Sequence, residues 1–108
     1  MADQDDAVAL AELGRQLYRA SKRGQAAEVA RLLDLNAPIE HREGEDRATP
    51  LMVAASEGCI EVVTILANRG SDLEARMTNG QNALQSASFR GHLAVVQLLV
   101  ERLSLIHI

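Results

Sequence analysis

The stretch 49-TPLMVAASEGCIEVVTILANRG-70 returns 33 residues later as 82-NALQSASFRGHLAVVQLLVERL-103. The two copies agree at small and apolar positions, whereas the positions that differ are mostly polar in at least one copy. The matched pairs are Leu51 with Leu84, Ala54 with Ala87, Gly58 with Gly91, Val62–Val63 with Val95–Val96, and Leu66 with Leu99. A fixed period of this length indicates stacked supersecondary units, each of which needs a neighbour to bury its apolar face.

A weaker third copy lies upstream at a spacing of 34 residues. It places Leu17, Ala20, Gly24, Val29 and Leu32 where the middle copy has Leu51, Ala54, Gly58, Val63 and Leu66. The extra residue falls within 41-HREGEDRA-48, a polar segment that can absorb an insertion at the surface. We therefore predict one domain over residues 1–102, made of an N-terminal helix with a capping repeat (1–48), a second repeat (49–81) and an incomplete third repeat (82–102).

Within each unit the apolar spacing is helical. Leu51, Ala54, Ala55 and Gly58 follow the i, i+3, i+4, i+7 pattern of one helix face. Thr49 can cap this helix, Pro50 suits its first position, and Gly58 can end it in a left-handed conformation. A second apolar run predicts a partner helix that ends at Arg69–Gly70, and Thr78-Asn79-Gly80-Gln81 favours a tight turn before the next unit.

These motifs resemble the ankyrin repeat. The middle copy carries the Thr-Pro-Leu start at residues 49–51, Ala54-Ala55, Gly58 and Val62-Val63, and the third copy keeps Gly91-His92 and Val95-Val96. The resemblance covers roughly residues 14–102 and implies an all-α solenoid of stacked antiparallel helix pairs with projecting hairpin-like turns. The sequence departs from the family where Met52 and Gln85 replace its histidine, which puts that residue's usual hydrogen bonds in doubt. The third copy also begins with Asn82-Ala83 instead of Thr-Pro.

The N-terminal segment predicts one longer helix over residues 5–23. Leu10, Leu13, Leu17 and Ala20 form its expected buried stripe. Asp3, Asp5 and Asp6 lie at its N-terminus, where negative charge suits a helix start. Its basic residues Arg15, Arg19 and Arg23 share another face with Lys22 beside them. This face is either a solvated surface or a basic lip for acidic side chains of a partner.

Composition narrows the range of functions. The net charge of −4 disfavours nucleic acid or an acidic membrane as the main partner. The hydrophobic core must consist mainly of aliphatic side chains, since Tyr18 and Phe89 are the only residues among Phe, Trp and Tyr in the sequence. The N-terminus lacks the basic region of a signal peptide, no stretch is long enough for a membrane span, and the single Cys59 fits a reducing compartment. We therefore expect an intracellular protein, cytoplasmic or nuclear.

Motifs for chemistry are missing from the sequence. His41, His92, His107 and Cys59 lack the spacing of metal ligands, and Gly44 stands alone rather than in a phosphate-binding loop. His92 matches a structural histidine of the family, and Cys59 occupies the same position in the middle copy. We expect no metal, no cofactor and no catalytic residue.

The C-terminal residues 103–108, LSLIHI, interrupt the repeat pattern. They resemble the translation of an adapter used in preparing sequencing libraries, so we expect them to be non-native and the chain to be an N-terminal fragment. The alternative is a genuine apolar tail that covers the last helix pair. Without a capping repeat, we expect Val95, Leu98 and Leu99 to be exposed to water.

The ankyrin resemblance also implies where a partner protein binds, namely on the concave face of the first helices and on the turn tips. By position, the helix residues are Lys22, Arg23, Ser56, Glu57, Phe89 and Arg90, and the turn residues are Glu43, Glu45, Asp46, Arg47, Arg76, Thr78, Asn79 and Gln81. Phe89 is the strongest candidate, because the repeat pattern does not require an aromatic residue there. The alternative is that Phe89 packs against a neighbouring repeat or is merely exposed.

Three functional hypotheses follow from this surface. The first is a protein-interaction module, monomeric when full-length, that acts as a scaffold or adaptor. The second is a targeting or regulatory segment of a larger enzyme or channel. The third is a spacer without a partner.

Overall fold

The computed structural model describes residues 2–106, with side chains from Asp6 onward. These residues form six helices, α1 (Ala2–Lys22), α2 (Ala26–Asp34), α3 (Pro50–Glu57), α4 (Ile60–Asn68), α5 (Ala83–Phe89) and α6 (Leu93–Ile106). Between residues 2 and 106 there is no strand, and the isolated antiparallel bridge between Glu43 and Ala48 is the only β pairing there. The all-α prediction is therefore confirmed.

The helices are arranged in two layers. The first helices α1, α3 and α5 pack side by side, the second helices α2, α4 and α6 form the other layer, and each first helix packs on the second helix that follows it. The molecule is elongated, with extents of 45 × 29 × 28 Å, as expected when similar units stack along one axis.

One hydrophobic core runs through all three units. Leu17 of α1, Leu51 of α3 and Ala87 of α5 lie in the first layer and are at most 1% exposed, while Leu32 and Leu66 continue the core in the second layer. Leu84 is half-buried and packs against this core. The matched apolar positions are thus the contacts between neighbouring units, as the repeat pattern predicts.

Two sequence-based expectations about exposure are wrong. Val95 and Leu99 are each 1% exposed, because this face of α6 packs against α4 and α5. Leu98 is half-buried, and the large apolar residues of α6 that are exposed are instead Leu93, Val100, Leu105 and Ile106.

Leu10 is 45% exposed rather than buried. Helix α1 has 21 residues and its neighbour α3 has eight. At a rise of about 1.5 Å per residue, α1 is therefore about 20 Å longer. Its N-terminal half therefore extends beyond the neighbouring helices that would cover the predicted apolar stripe. The other residues of that stripe are covered, since Leu13 is half-buried and Leu17 and Ala20 are buried.

The predicted helix starts are confirmed, and they show what replaces the family's histidine. The Thr49 hydroxyl accepts the Met52 N–H at 3.3 Å, and the Thr49 N–H is 3.4 Å from the Met52 sulfur. At the next unit, Asn82 and Gln85 exchange two hydrogen bonds of 2.9 Å in a capping box. Met52 and Gln85 therefore bond locally to the N-cap residue of their own helix.

His92 and Cys59 connect neighbouring units by packing. His92 Nε2 donates to the Ser56 carbonyl at 2.9 Å, and the His92 ring lies against Gly58. In the preceding unit, the sulfur of Cys59 lies over Gly24 in the same way. Each of these side chains covers the left-handed glycine of the unit before it, which confirms that both are structural.

Candidate partner-binding surface

The first helices and the turns that precede α3 and α5 enclose a groove of about 310 Å³. We call it the groove. Its lining residues come from α1, α3, α5 and both turns, and they are Tyr18, Asp46, Ala48, Met52, Val53, Ser56, Met77, Asn79, Gln81, Ser86, Phe89 and Arg90. All three units contribute to this surface.

The structure brings together six of the fourteen residues that the sequence proposed for binding. Ser56, Phe89, Arg90, Asn79 and Gln81 all line the groove, although Ser56 and Arg90 are 34 positions apart in sequence. Asp46 of the earlier turn also belongs to it.

Other proposed residues lie outside the groove lining. Lys22 and Arg23 are exposed where α1 ends, and Arg23 lines a separate depression with Arg19 and Glu28. Glu57 lies next to the groove, where it is paired with Arg90. No charged group from the predicted basic face of α1 therefore lines the groove.

Phe89 is 84% exposed, so the alternative that it packs against a neighbouring repeat is wrong. The next residue, Arg90, is held by two contacts with the preceding unit. Its Nε donates to the Ser56 carbonyl at 3.3 Å, and its Nη2 is 3.4 Å from the Glu57 carboxylate. The groove therefore has an exposed aromatic ring beside a positioned guanidinium.

Hydrogen bonds hold the two turns against each other. The Thr78 N–H donates to the Asp46 carbonyl at 3.0 Å. Arg42 donates to the carbonyls of Arg47 and Arg76, at 2.8 and 2.6 Å. Arg76 in turn donates to the Gly80 carbonyl at 2.7 Å. These contacts give Arg76 and Thr78 a structural role in the turns beside the groove, although neither lines it.

Sequence reasoning missed the apolar floor of the groove. Tyr18, Met52, Val53 and Met77 line it, and two of these residues, Met52 and Val53, are buried. The available signal was that Met52 and Val53 are apolar but lie off the i, i+3, i+4, i+7 stripe of α3. Apolar residues off the core stripe of a short helix indicate a second covered face.

Acidic groups surround the Tyr18 phenol. Burial raises the pKa of Tyr18, and the nearby carboxylates of Glu43, Asp46 and Glu57 raise this pKa further. Glu43 is paired with His41 at 2.7 Å, whereas the Asp46 carboxylate has no hydrogen bond or ion pair within residues 6–106. The end of the groove at Tyr18 is therefore electrostatically negative.

The described residues contain no candidate metal site, and their one cysteine is a thiol with a raised pKa. Across residues 2–106 no three His, Cys, Asp or Glu side chains are grouped so as to hold a metal ion, and His107 lies outside the described residues. Burial, with a smaller effect of Glu57, raises the pKa of the Cys59 thiol, which keeps it protonated at neutral pH. In the same range, none of the helices combines the length and the apolar character that crossing a bilayer demands.

The fold is a helical repeat solenoid with a groove along its first helices. The family model for ankyrin repeats, in three copies, matches residues 17–107, and the chain belongs to this family. Ankyrin repeats are in general protein-interaction modules.

Three relatives show how widely this region occurs. The chain is 35% identical, over 81% of its length, to a probable E3 ubiquitin-protein ligase of Oryza sativa subsp. japonica, of which it spans 17%. It is 42% identical, over 73%, to the ankyrin repeat and KH domain-containing protein mask of Drosophila melanogaster, of which it spans 2%. It is 36% identical, over 80%, to a glycerophosphocholine phosphodiesterase of Candida albicans, of which it spans 7%. The chain corresponds to a small part of each relative.

Proposed function

We propose that this ankyrin array binds a partner protein through the groove and the turn tips beside it. The observation that carries the proposal is Phe89, a large aromatic side chain that is 84% exposed at the edge of a groove with an apolar floor. Exposed aromatic residues beside arginine are frequent binding anchors. Binding here requires little ordering of the chain, because hydrogen bonds already fix the turns and Arg90.

The proposal covers the array and not a larger protein. Two of the three relatives are named as enzymes and one as an ankyrin repeat and KH domain-containing protein, so the shared repeats occur beside different activities. A targeting or regulatory segment of a larger enzyme or channel would use the same groove for its partner, and no residue distinguishes that role. We further propose an intracellular location, on the strength of the unpaired Cys59.

Affinity capture with two matched variants tests the proposal. Phe89→Ala removes the aromatic side chain at the groove, and Leu93→Ala removes an apolar side chain that is 77% exposed on α6 and does not line the groove. We expect proteins captured from a cell lysate by the wild-type chain to be retained by Leu93→Ala and lost by Phe89→Ala. Circular dichroism should show the same helix content for all three proteins.

Capture of the same proteins by all three chains would contradict groove binding. If the wild-type chain captured no protein specifically, the result would instead favour the third hypothesis, a spacer without a partner.

A further inference from the structure

We propose that the groove selects a partner segment in which an apolar side chain lies close to a lysine or arginine. The apolar side chain lies between Met77 and Phe89, and the cation lies at the end formed by Tyr18 and Asp46. This inference rests on the proposed function and adds the chemical class of the partner.

The apolar part of the groove suits one inserted side chain. Met52, Val53 and Met77 provide the floor, and Phe89 stands at the edge. The volume of about 310 Å³ is at the lower end of the range for ligand pockets. Methionine side chains adapt to differently shaped apolar groups, so this part of the groove favours an apolar anchor without demanding one residue type.

The charge of the partner follows from the two charged residues that line the groove. Arg90 is already paired with Glu57, whereas the carboxylate of Asp46 has no partner within residues 6–106. Glu43 and Glu57 add to the negative potential that Asp46 produces at the Tyr18 phenol. A cation placed here gains an ion pair with Asp46 and contact with the Tyr18 ring.

The other basic residues of the turns and of the α1 end do not line the groove. Arg42 and Arg76 donate to backbone carbonyls of the turns, and these bonds hold their guanidinium groups against the turns. Lys22 and Arg47 are exposed, and neither lines the groove. The basic lip for an acidic partner, which the sequence offered as an alternative, is therefore on a different part of the molecule from the groove.

Helix α5 adds a polar contact point to the groove. Ser86 lines the groove and is 6% exposed, and its hydroxyl has no hydrogen-bond partner among the described side chains and backbone groups. A small rotation of this side chain lets it bond to the backbone of a segment bound beside Phe89, which recovers the interaction that the hydroxyl lacks.

Selection of short random peptides displayed on phage tests the inference without assuming a sequence. The wild-type chain and Phe89→Ala are panned in parallel, and only peptides that depend on Phe89 are considered. We expect these peptides to carry an apolar residue within a few positions of Lys or Arg. Enrichment of acidic or uncharged peptides that depend on Phe89 would overturn the inference and leave the proposed function standing. The absence of any peptide that depends on Phe89 would overturn both.

The strongest enriched peptide then tests the role of Asp46 directly. We expect Asp46→Asn to weaken its binding about threefold to fivefold, as for one exposed ion pair, and added salt to weaken wild-type binding. The matched control is Glu45→Gln, a neighbouring exposed carboxylate that does not line the groove, with an expected change below about twofold. Equal effects of the two substitutions would refute a specific cation site at Asp46.

Discussion

At the scale of single residues, equivalent positions of the repeat carry the same backbone conformation in different surroundings. Gly58 and Gly91 end the first helices of their units at φ values of 75° and 77°. A Cβ atom on Gly58 would lie 2.6 Å from His92 Nδ1, whereas a Cβ atom on Gly91 meets nothing within 4 Å. Gly58 therefore serves both the turn and the close approach of the next unit, and Gly91 serves the turn alone.

This difference predicts unequal costs for one substitution. We expect Gly91→Ala to lower the free energy of unfolding by about 1 kcal/mol, the cost of a left-handed alanine. Gly58→Ala should cost about 2–4 kcal/mol, because His92 must also move and weaken its bond to Ser56. Urea unfolding followed by circular dichroism measures both values. Equal losses would show that the His92 contact carries no energy.

Ser21 is a buried polar residue whose hydroxyl has no hydrogen-bond partner in the part of the chain that the structure describes. The corresponding residue of the middle unit is Ala55, so the stack accommodates alanine at this position. We expect Ser21→Ala to raise the free energy of unfolding by about 1–2 kcal/mol, since an unsatisfied buried hydroxyl is removed. The control is Ser88→Ala, the equivalent but exposed position of the third unit, which should gain only about 0.5 kcal/mol from helix propensity. A larger gain at Ser88 than at Ser21 would contradict this reasoning.

At the scale of elements, the helix starts and the turns place the groove. Helix α5 is seven residues long and carries Phe89 at its last position. A helix this short has little intrinsic stability, so its capping box and its packing on α3 and α6 hold it in place. Hydrogen bonds of Thr78 and Arg42 between neighbouring units hold the turns in place.

The capping box of α5 is therefore expected to affect stability measurably. Asn82→Ala removes the acceptor for the Gln85 N–H and should lower the free energy of unfolding by about 1 kcal/mol. Asn82→Asp keeps an acceptor oxygen at the same place and should cost less than half as much. Thermal unfolding of both variants checks the order, and a reversed order would mean that the side-chain amide acts through another contact.

At the scale of the whole molecule, stability comes from contacts between units. Leu51 of α3 is 1% exposed, and α3 packs against both α1 and α5. A stack of this kind behaves approximately as a sum of repeat and interface energies, with the middle unit coupled on both sides. The groove exists only while all three units are in register, since each of them contributes residues to its lining.

Loss of packing at Leu51 is expected to weaken the array as one cooperative unit. Leu51→Ala should lower the free energy of unfolding by about 2–5 kcal/mol, the range for a buried leucine. Circular dichroism and the fluorescence of Tyr18, the one tyrosine, should still report the same unfolding midpoint. Leu93→Ala, at an exposed position, should change stability by less than about 0.5 kcal/mol. Different midpoints for the two probes would mean that the units unfold separately.

Much of the fold could be predicted from the sequence, because the signals are local and occur more than once. Thr49, Pro50 and Gly58 act on backbone groups within a few positions of themselves, and the 33-residue repeat independently identifies the contacts between units. The same repetition led to Phe89, since an aromatic residue is unexpected where the middle copy has Ser56. The domain boundaries and the non-native origin of residues 103–108 stay predictions, as does the assignment of the partner-binding residues.

The sequence by itself determined the helix pairs, their caps and the apolar faces that join them, because a helix period and a fixed repeat are properties of spacing along the chain. Only the tertiary structure decided that Leu10 is exposed and Val95 buried. The first depends on the unequal lengths of α1 and α3, and the second on the packing of α6 against α4 and α5. The tertiary structure also decided that Tyr18 and Met77 share one groove with Phe89. The distances between these three side chains depend on how the units stack on one another. The spacing of residues within a single unit carries no information about that stacking.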